Sequence, residues 1–142
     1  MRSPIKSPLR RWDIPQGVKL SGLWAAVMFC YAYGDLLVLW LPGSMERMSK
    51  GDFGPLGTAT PGMLAAIAVC MAVPSVMVAL SLLMPPGPCR ILNVLLGLVY
   101  TGIMAATIPA GPLFYKVLGV IEVAITLSIV WLAIRWPRER KA

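Results

Sequence analysis

Four apolar stretches of spanning length, a hydrophobic share of 58% against 13% charged residues, and Pro- and Gly-rich breaks between the stretches predict an all-helical bundle of four transmembrane helices with antiparallel neighbours. Ordinary globular domains carry roughly 45 to 50% apolar and about 25% charged residues. This chain therefore has too little polar surface to clothe a water-soluble ball, and lipid must take the place of water. The 142 residues suffice for one bundle with short connections. The expected organisation is a basic tail over residues 1–19, a four-helix membrane domain over 20–136 and a second basic tail over 137–142.

The first apolar run, residues 20–41, is long enough to cross a hydrocarbon core of about 30 Å at about 1.5 Å per residue. The basic stretch before it is like the start of a signal peptide. However, the run is too long for one and ends in Leu41-Pro42-Gly43, not in a small-x-small cleavage site, so it reads as a retained first span. A polar connection follows over residues 42–61. The second run, 62–84, holds Pro74 near its middle, which a spanning helix tolerates when a neighbour satisfies the carbonyl that the proline frees. Pro85-Pro86-Gly87-Pro88 ends that run, and Cys89 is expected in the same short loop. The third run, 91–108, stops at Pro109-Ala110-Gly111-Pro112, and the fourth covers 113–136. Both turns are tight, so the second, third and fourth helices are predicted to be antiparallel neighbours.

The net charge of +7 comes mostly from the chain ends, which argues for orientation in a membrane and against nucleic-acid binding. Arg2, Lys6, Arg10, Arg11 and Lys19 precede the first run, Arg90 lies between the second and third, and Arg135, Arg138, Arg140 and Lys141 close the chain. The other two connections hold only Arg47, Lys50 and Lys116. The positive-inside rule then puts both termini in the cytoplasm, with Trp12, Trp40 and Trp136 near the interfaces. There is no His, so the commonest haem and zinc ligand is missing, and no cofactor is expected. Cys30, Cys70 and Cys89 lack a C-x-x-C spacing and read as small hydrophobes.

Asp35 and Glu122 are the acids inside the apolar runs. A carboxylate at bilayer depth is costly and normally faces a bundle interior or a water-filled cavity, so each is a candidate functional residue. On the first helix Trp24, Met28, Tyr31 and Asp35 share one face at i, i+4, i+7, i+11; on the fourth, Tyr115, Gly119, Glu122 and Thr126 repeat the pattern. The third contributes Asn93, Gly97, Tyr100, Thr101 and Met104. These polar or small faces are predicted to point inward. Counted from the outer helix ends, the two acids lie roughly 9 and 12 Å deep at helical rise, which allows a shared site in the outer half of the membrane. Two close carboxylates cannot both stay charged without help. A shared proton, a bound cation or a cationic ligand would resolve the conflict, with Tyr31, Tyr100, Tyr115 and Thr126 supplying hydroxyls; the identity of any metal stays open.

A packing role is the alternative, in which each acid only bonds to a neighbouring helix. Such bonds contribute roughly 0.6 kcal/mol in membranes, against about 2.5 to 3.5 kcal/mol for placing Asp at a helix centre. The two readings stay open at this point. Lys116 is expected to reach lipid headgroups, Pro74 to mark a static kink, and Gly97 and Gly119 to mark close helix contacts.

These residues also carry a resemblance. Leu20-Ser21-Gly22-Leu23-Trp24, then Val27-Met28-Phe29 and Tyr31-Ala32-Tyr33-Gly34-Asp35-Leu36 resemble the pattern L-S-x-L-W, M-F, Y-x-Y-x-D of a family of small bacterial four-helix membrane proteins classed as a domain of unknown function. Met71-Ala72-Val73-Pro74, Met77, Leu80-Ser81, Asn93, Gly97, Ile121-Glu122-Val123, Thr126 and Trp131 extend it from Leu20 to Trp136. Where many relatives carry an acid just after the methionine of the second helix, this chain has Ala72. The resemblance implies a bacterial inner-membrane protein and supplies no activity. Three readings follow: a protein that binds or transports protons or a cation, with a homo-oligomer expected; an accessory subunit whose polar faces pack on a partner membrane protein; and, last, an enzyme. No nucleophile and base pair or phosphate loop supports the third, so no enzyme is expected.

Overall fold

The computed structural model describes residues 14–53 and 57–136; the tail residues Arg2, Lys6, Arg10, Arg11, Trp12, Arg138, Arg140 and Lys141 lie outside that range. The described residues form helices and connections with no strand. The elements are α1 (Gln16–Leu39), α2 (Ser44–Ser49), α3 (Pro61–Leu83), α4 (Pro86–Thr107) with a closing 3₁₀ turn (Ile108–Ala110), and α5 (Leu113–Ile134). Four of them, α1, α3, α4 and α5, are long and apolar enough to cross a membrane.

Prolines place the helix starts. Pro15 precedes the first residue of α1, so this helix begins four residues before the predicted run. Thr60 caps α3 by accepting from the Met63 N–H at 3.2 Å, with Pro61 in the first turn. The Pro85 to Pro88 segment was expected as a loop, but α4 starts at Pro86 and takes Cys89 with it as a buried helical residue. The physical reason is that first-turn N–H groups have no acceptor within the helix, so a proline there forfeits nothing. The connection after α1 also folds more than expected, into α2 with an exposed Lys50 to Glu46 ion pair.

The packing order is α3, α1, α5, α4. Helix α1 lies against both α3 and α5, and α4 lies against α5. Each of these pairs is antiparallel: Gly17 meets Ser81, Gln16 meets Leu132 and Gly97 meets Val130. The predicted close neighbourhood of the second and third spans holds only in part. Helices α3 and α4 share a tight turn and an antiparallel sense but stand apart along their length, bridged by long side chains. An apolar groove lined by Val69, Ala72, Val76 and Leu96 fills the space between them.

Glycines set the close approaches, Gly119 among them, where a Cβ would stand 2.5 Å from the Ile108 side chain. A Cβ at Gly17 would sit 2.5 Å from the Ser81 carbonyl oxygen, and one at Gly97 would sit 2.7 Å from the Val130 side chain. The start of α1 and the end of α5 lie at one end of the bundle, here the terminal end; α2 lies at the other. Leu20, Trp24, Val27, Met77 and Ile129 form the core of the terminal half. At that end Arg135 stacks over the exposed Trp131 ring at 3.8 Å.

Candidate binding cavity

The inward-facing stripes meet inside one chain, but they do different things at the two ends. Toward the terminal end, Asn93 is fully buried. Its Oδ1 accepts from Trp24 Nε1 at 2.7 Å, and its Nδ2 donates to the Cys89 carbonyl at 2.8 Å. Ser81 Oγ stands 3.5 Å from both amide atoms. Every polar atom of this cluster finds a partner within the bundle, which is how a buried polar group avoids its desolvation cost.

Toward the α2 end, the helices enclose a cavity of about 190 Å³. Helix α1 supplies Tyr31 and Asp35, α4 supplies Tyr100, and α5 supplies Tyr115 and Glu122. Five of the six residues singled out from the sequence thus line one space. Glu122 is 2% exposed, and its Oε2 is buried with no hydrogen-bond partner. No Lys or Arg lines the cavity among the described residues, and Lys116 is exposed. An ionised Glu122 would therefore have no protein cation beside it.

Thr126, the sixth residue, lies outside the cavity. Its hydroxyl is 2.7 Å from Thr101 Oγ1 and donates to the Glu122 backbone carbonyl at 3.0 Å, so it joins α5 to α4 below the space. Its polarity on the stripe comes from packing.

The acids are stepped, not level. Gly34 packs on the Leu118 side chain across α1 and α5, and Glu122 is one helical turn beyond Leu118, so it lies deeper than Asp35 by at least a helical turn. Asp35 itself is exposed and forms the rim. The similar depths expected from the sequence are counted from the ends of the apolar runs, and α1 ends at Leu39, two residues sooner. Both carboxyls nevertheless line the same cavity.

Two tyrosine hydroxyls are already committed. Tyr115 donates to Thr107 Oγ1 at 3.2 Å. Tyr100 donates to the Cys70 carbonyl at 2.5 Å. That carbonyl is the one four residues before Pro74, which has no N–H to offer it, so Tyr100 supplies the donor that the buried proline removes. In the sequence Pro74 and Tyr100 stand apart as separate features; only the fold pairs them. Cys30, Cys70, Met71 and Ile103 also line the cavity and were not among the candidates. Their apolar character hid them among ordinary core positions.

The profile of DUF6326, a family of unknown function, matches residues 9–142. The chain belongs to that family. No curated protein and no solved structure matches it. Family membership covers every cavity residue and brings no activity with it. The departure at Ala72 falls in the apolar groove between α3 and α4, outside the cavity.

Proposed function

We propose that this chain is an integral protein of the bacterial inner membrane that binds a cation or a proton in the cavity at its α2 end, with Glu122 as the exchanging group and Asp35 at the entrance. The observation that carries the reading is the buried Glu122 Oε2, without a hydrogen bond, in a cavity with no basic lining residue. Burying a charge without a partner costs so much that the carboxyl keeps its proton when the cavity is empty. A cation entering the cavity provides the missing partner, and the proton leaves. Charge is conserved at the site, and the protein avoids an uncompensated anion at bilayer depth.

On the positive-inside reading the chain ends face the cytoplasm and the cavity opens toward the periplasmic side. One chain encloses little volume, and a second copy is the natural companion if the cation is to cross. The accessory-subunit reading needs a polar face left over for a partner's helices. The outward serines Ser75 and Ser128 instead bond to the backbone of their own helices, at 3.0 and 2.7 Å.

The test is the protonated-carboxyl infrared band of the purified protein in lipid, followed while a panel of inorganic and organic cations is added. A band that is present in wild type, absent in Glu122→Gln and bleached by some member of the panel supports the reading. A wild-type band indistinguishable from that of Glu122→Gln, or insensitive to every cation, overturns it.

A further inference from the structure

We propose that the ligand of this cavity is a small alkylated ammonium ion and not a metal ion; the inference rests on the cation-site reading above and names its ligand class. The first argument is room. A void of about 150 Å³ admits a benzene molecule, and this cavity measures about 190 Å³. A compact organic ion fits with its substituents, whereas a bare metal ion would leave most of the space to be filled by water.

The second argument is the donor set. Calcium takes about six to eight oxygen ligands and magnesium about six in a tight octahedron. The cavity offers two carboxyls a helical turn apart, and no group of three or more His, Cys, Asp or Glu suited to a metal occurs among the described residues.

The third argument is what the tyrosines have left to give. Tyr100 and Tyr115 spend their hydroxyl protons on the Cys70 carbonyl and on Thr107. Toward an occupant they contribute ring surface, and Tyr31 adds a third ring on α1. Aromatic rings around a single desolvated carboxylate are the chemistry that recognises quaternary ammonium ions. Met71, Met104 and Leu118 add polarizable, apolar wall against which N-alkyl groups pack. A primary ammonium would bring three N–H groups that need acceptors; a quaternary one brings none and needs only a countercharge and apolar, aromatic wall. Asp35 at the exposed rim attracts the ion, and Glu122 neutralises it at the deep end.

The experiment uses the full chain in lipid nanodiscs, with radiolabelled tetramethylammonium as the probe, and with sodium, potassium, magnesium and calcium chlorides as competitors. Expected are saturable binding accompanied by proton release, loss of both in Glu122→Gln, and weak competition by the inorganic ions. Tyr31→Leu is expected to weaken binding roughly tenfold, the scale of a desolvated cation–π contact, while Tyr31→Phe keeps it. The Tyr31 pair decides the matter even if Glu122→Gln fails to fold, which helicity and size-exclusion profiles reveal. Glu122-dependent proton release by an inorganic ion but not by tetramethylammonium overturns this inference and leaves the cation site standing. Equal binding to wild type and Tyr31→Leu also overturns it. If no cation releases a proton, both proposals fall.

Discussion

The two halves of the bundle bury polar groups in opposite ways. In the terminal half, Asn93, Trp24, Ser81 and Cys89 satisfy one another between tightly packed helices, and a fully buried amide serves as glue. In the α2 half, a carboxyl of similar burial has an oxygen with no partner and lies beside open space. Both residues are polar, inward-facing and deep in an apolar helix, so burial alone does not separate structure from function. The separating property is whether the bundle itself completes the hydrogen bonding.

The sharpest way to break the terminal half is to force its helices apart. Gly97 lets α4 approach α5 so closely that an added Cβ would stand 2.7 Å from Val130 and 3.4 Å from the Thr126 carbonyl oxygen. Gly97→Leu is expected to destabilise by about 3 kcal/mol, the upper part of the range for overpacking, measured by reversible unfolding in mixed lipid and SDS micelles. Next comes Asn93→Leu, which orphans Trp24 Nε1 and takes away the side-chain donor to the Cys89 carbonyl. A loss of about 2 kcal/mol is expected, somewhat more than one membrane hydrogen bond. A loss no greater than that of an exposed leucine substitution would mean that the cluster is not the glue described here.

How much of this was legible in the sequence depends on whether the signal is local. Hydropathy and helical spacing locate the four spans and assign Trp24, Asn93, Tyr31 and Glu122 to inward faces, because both are properties of one helix. Which face meets which is set by the whole bundle. For that reason the pairing of Tyr100 with the carbonyl freed by Pro74, the wide spacing of α3 from α4, and the diversion of Thr126 to Thr101 were out of reach. The start of α4 at Pro86 is ambiguous for a local reason: proline both ends helices and starts them, and the apolar run alone does not say which. The step between Asp35 and Glu122 was missed because a shift of two residues at a helix end moves the apparent depth by about 3 Å.

Tyr100 belongs to both halves of the comparison, since its ring packs edge-on against Trp24 with centroids 5.8 Å apart while it also lines the cavity. Tyr100→Phe keeps the ring and removes the donor to Cys70, so a loss of about 1 kcal/mol is expected, together with greater freedom at the Pro74 kink. Spin labels on exposed sites either side of Pro74, such as Leu64 and Leu82, would report the freedom as a broadened distance distribution. An unchanged distribution would mean that the kink is held by packing alone.

Glu122→Gln sharpens the contrast most, because the smallest effect on folding should accompany a complete effect at the site. In the terminal half, removing a buried polar group breaks bonds that the bundle relies on. At Glu122 the side chain has no such bonds to lose: Oε2 is unpartnered, and Gln preserves the volume and neutrality of a protonated carboxyl. A stability change within about 0.5 kcal/mol of wild type is expected in the same unfolding assay, the usual size of a substitution away from any stabilising feature, together with loss of the titrating carboxyl band. Destabilisation as large as that of Asn93→Leu would make Glu122 another piece of packing and erase the difference between the halves. A near-neutral change identifies the unpaired oxygen as one that the fold carries for something other than its own stability.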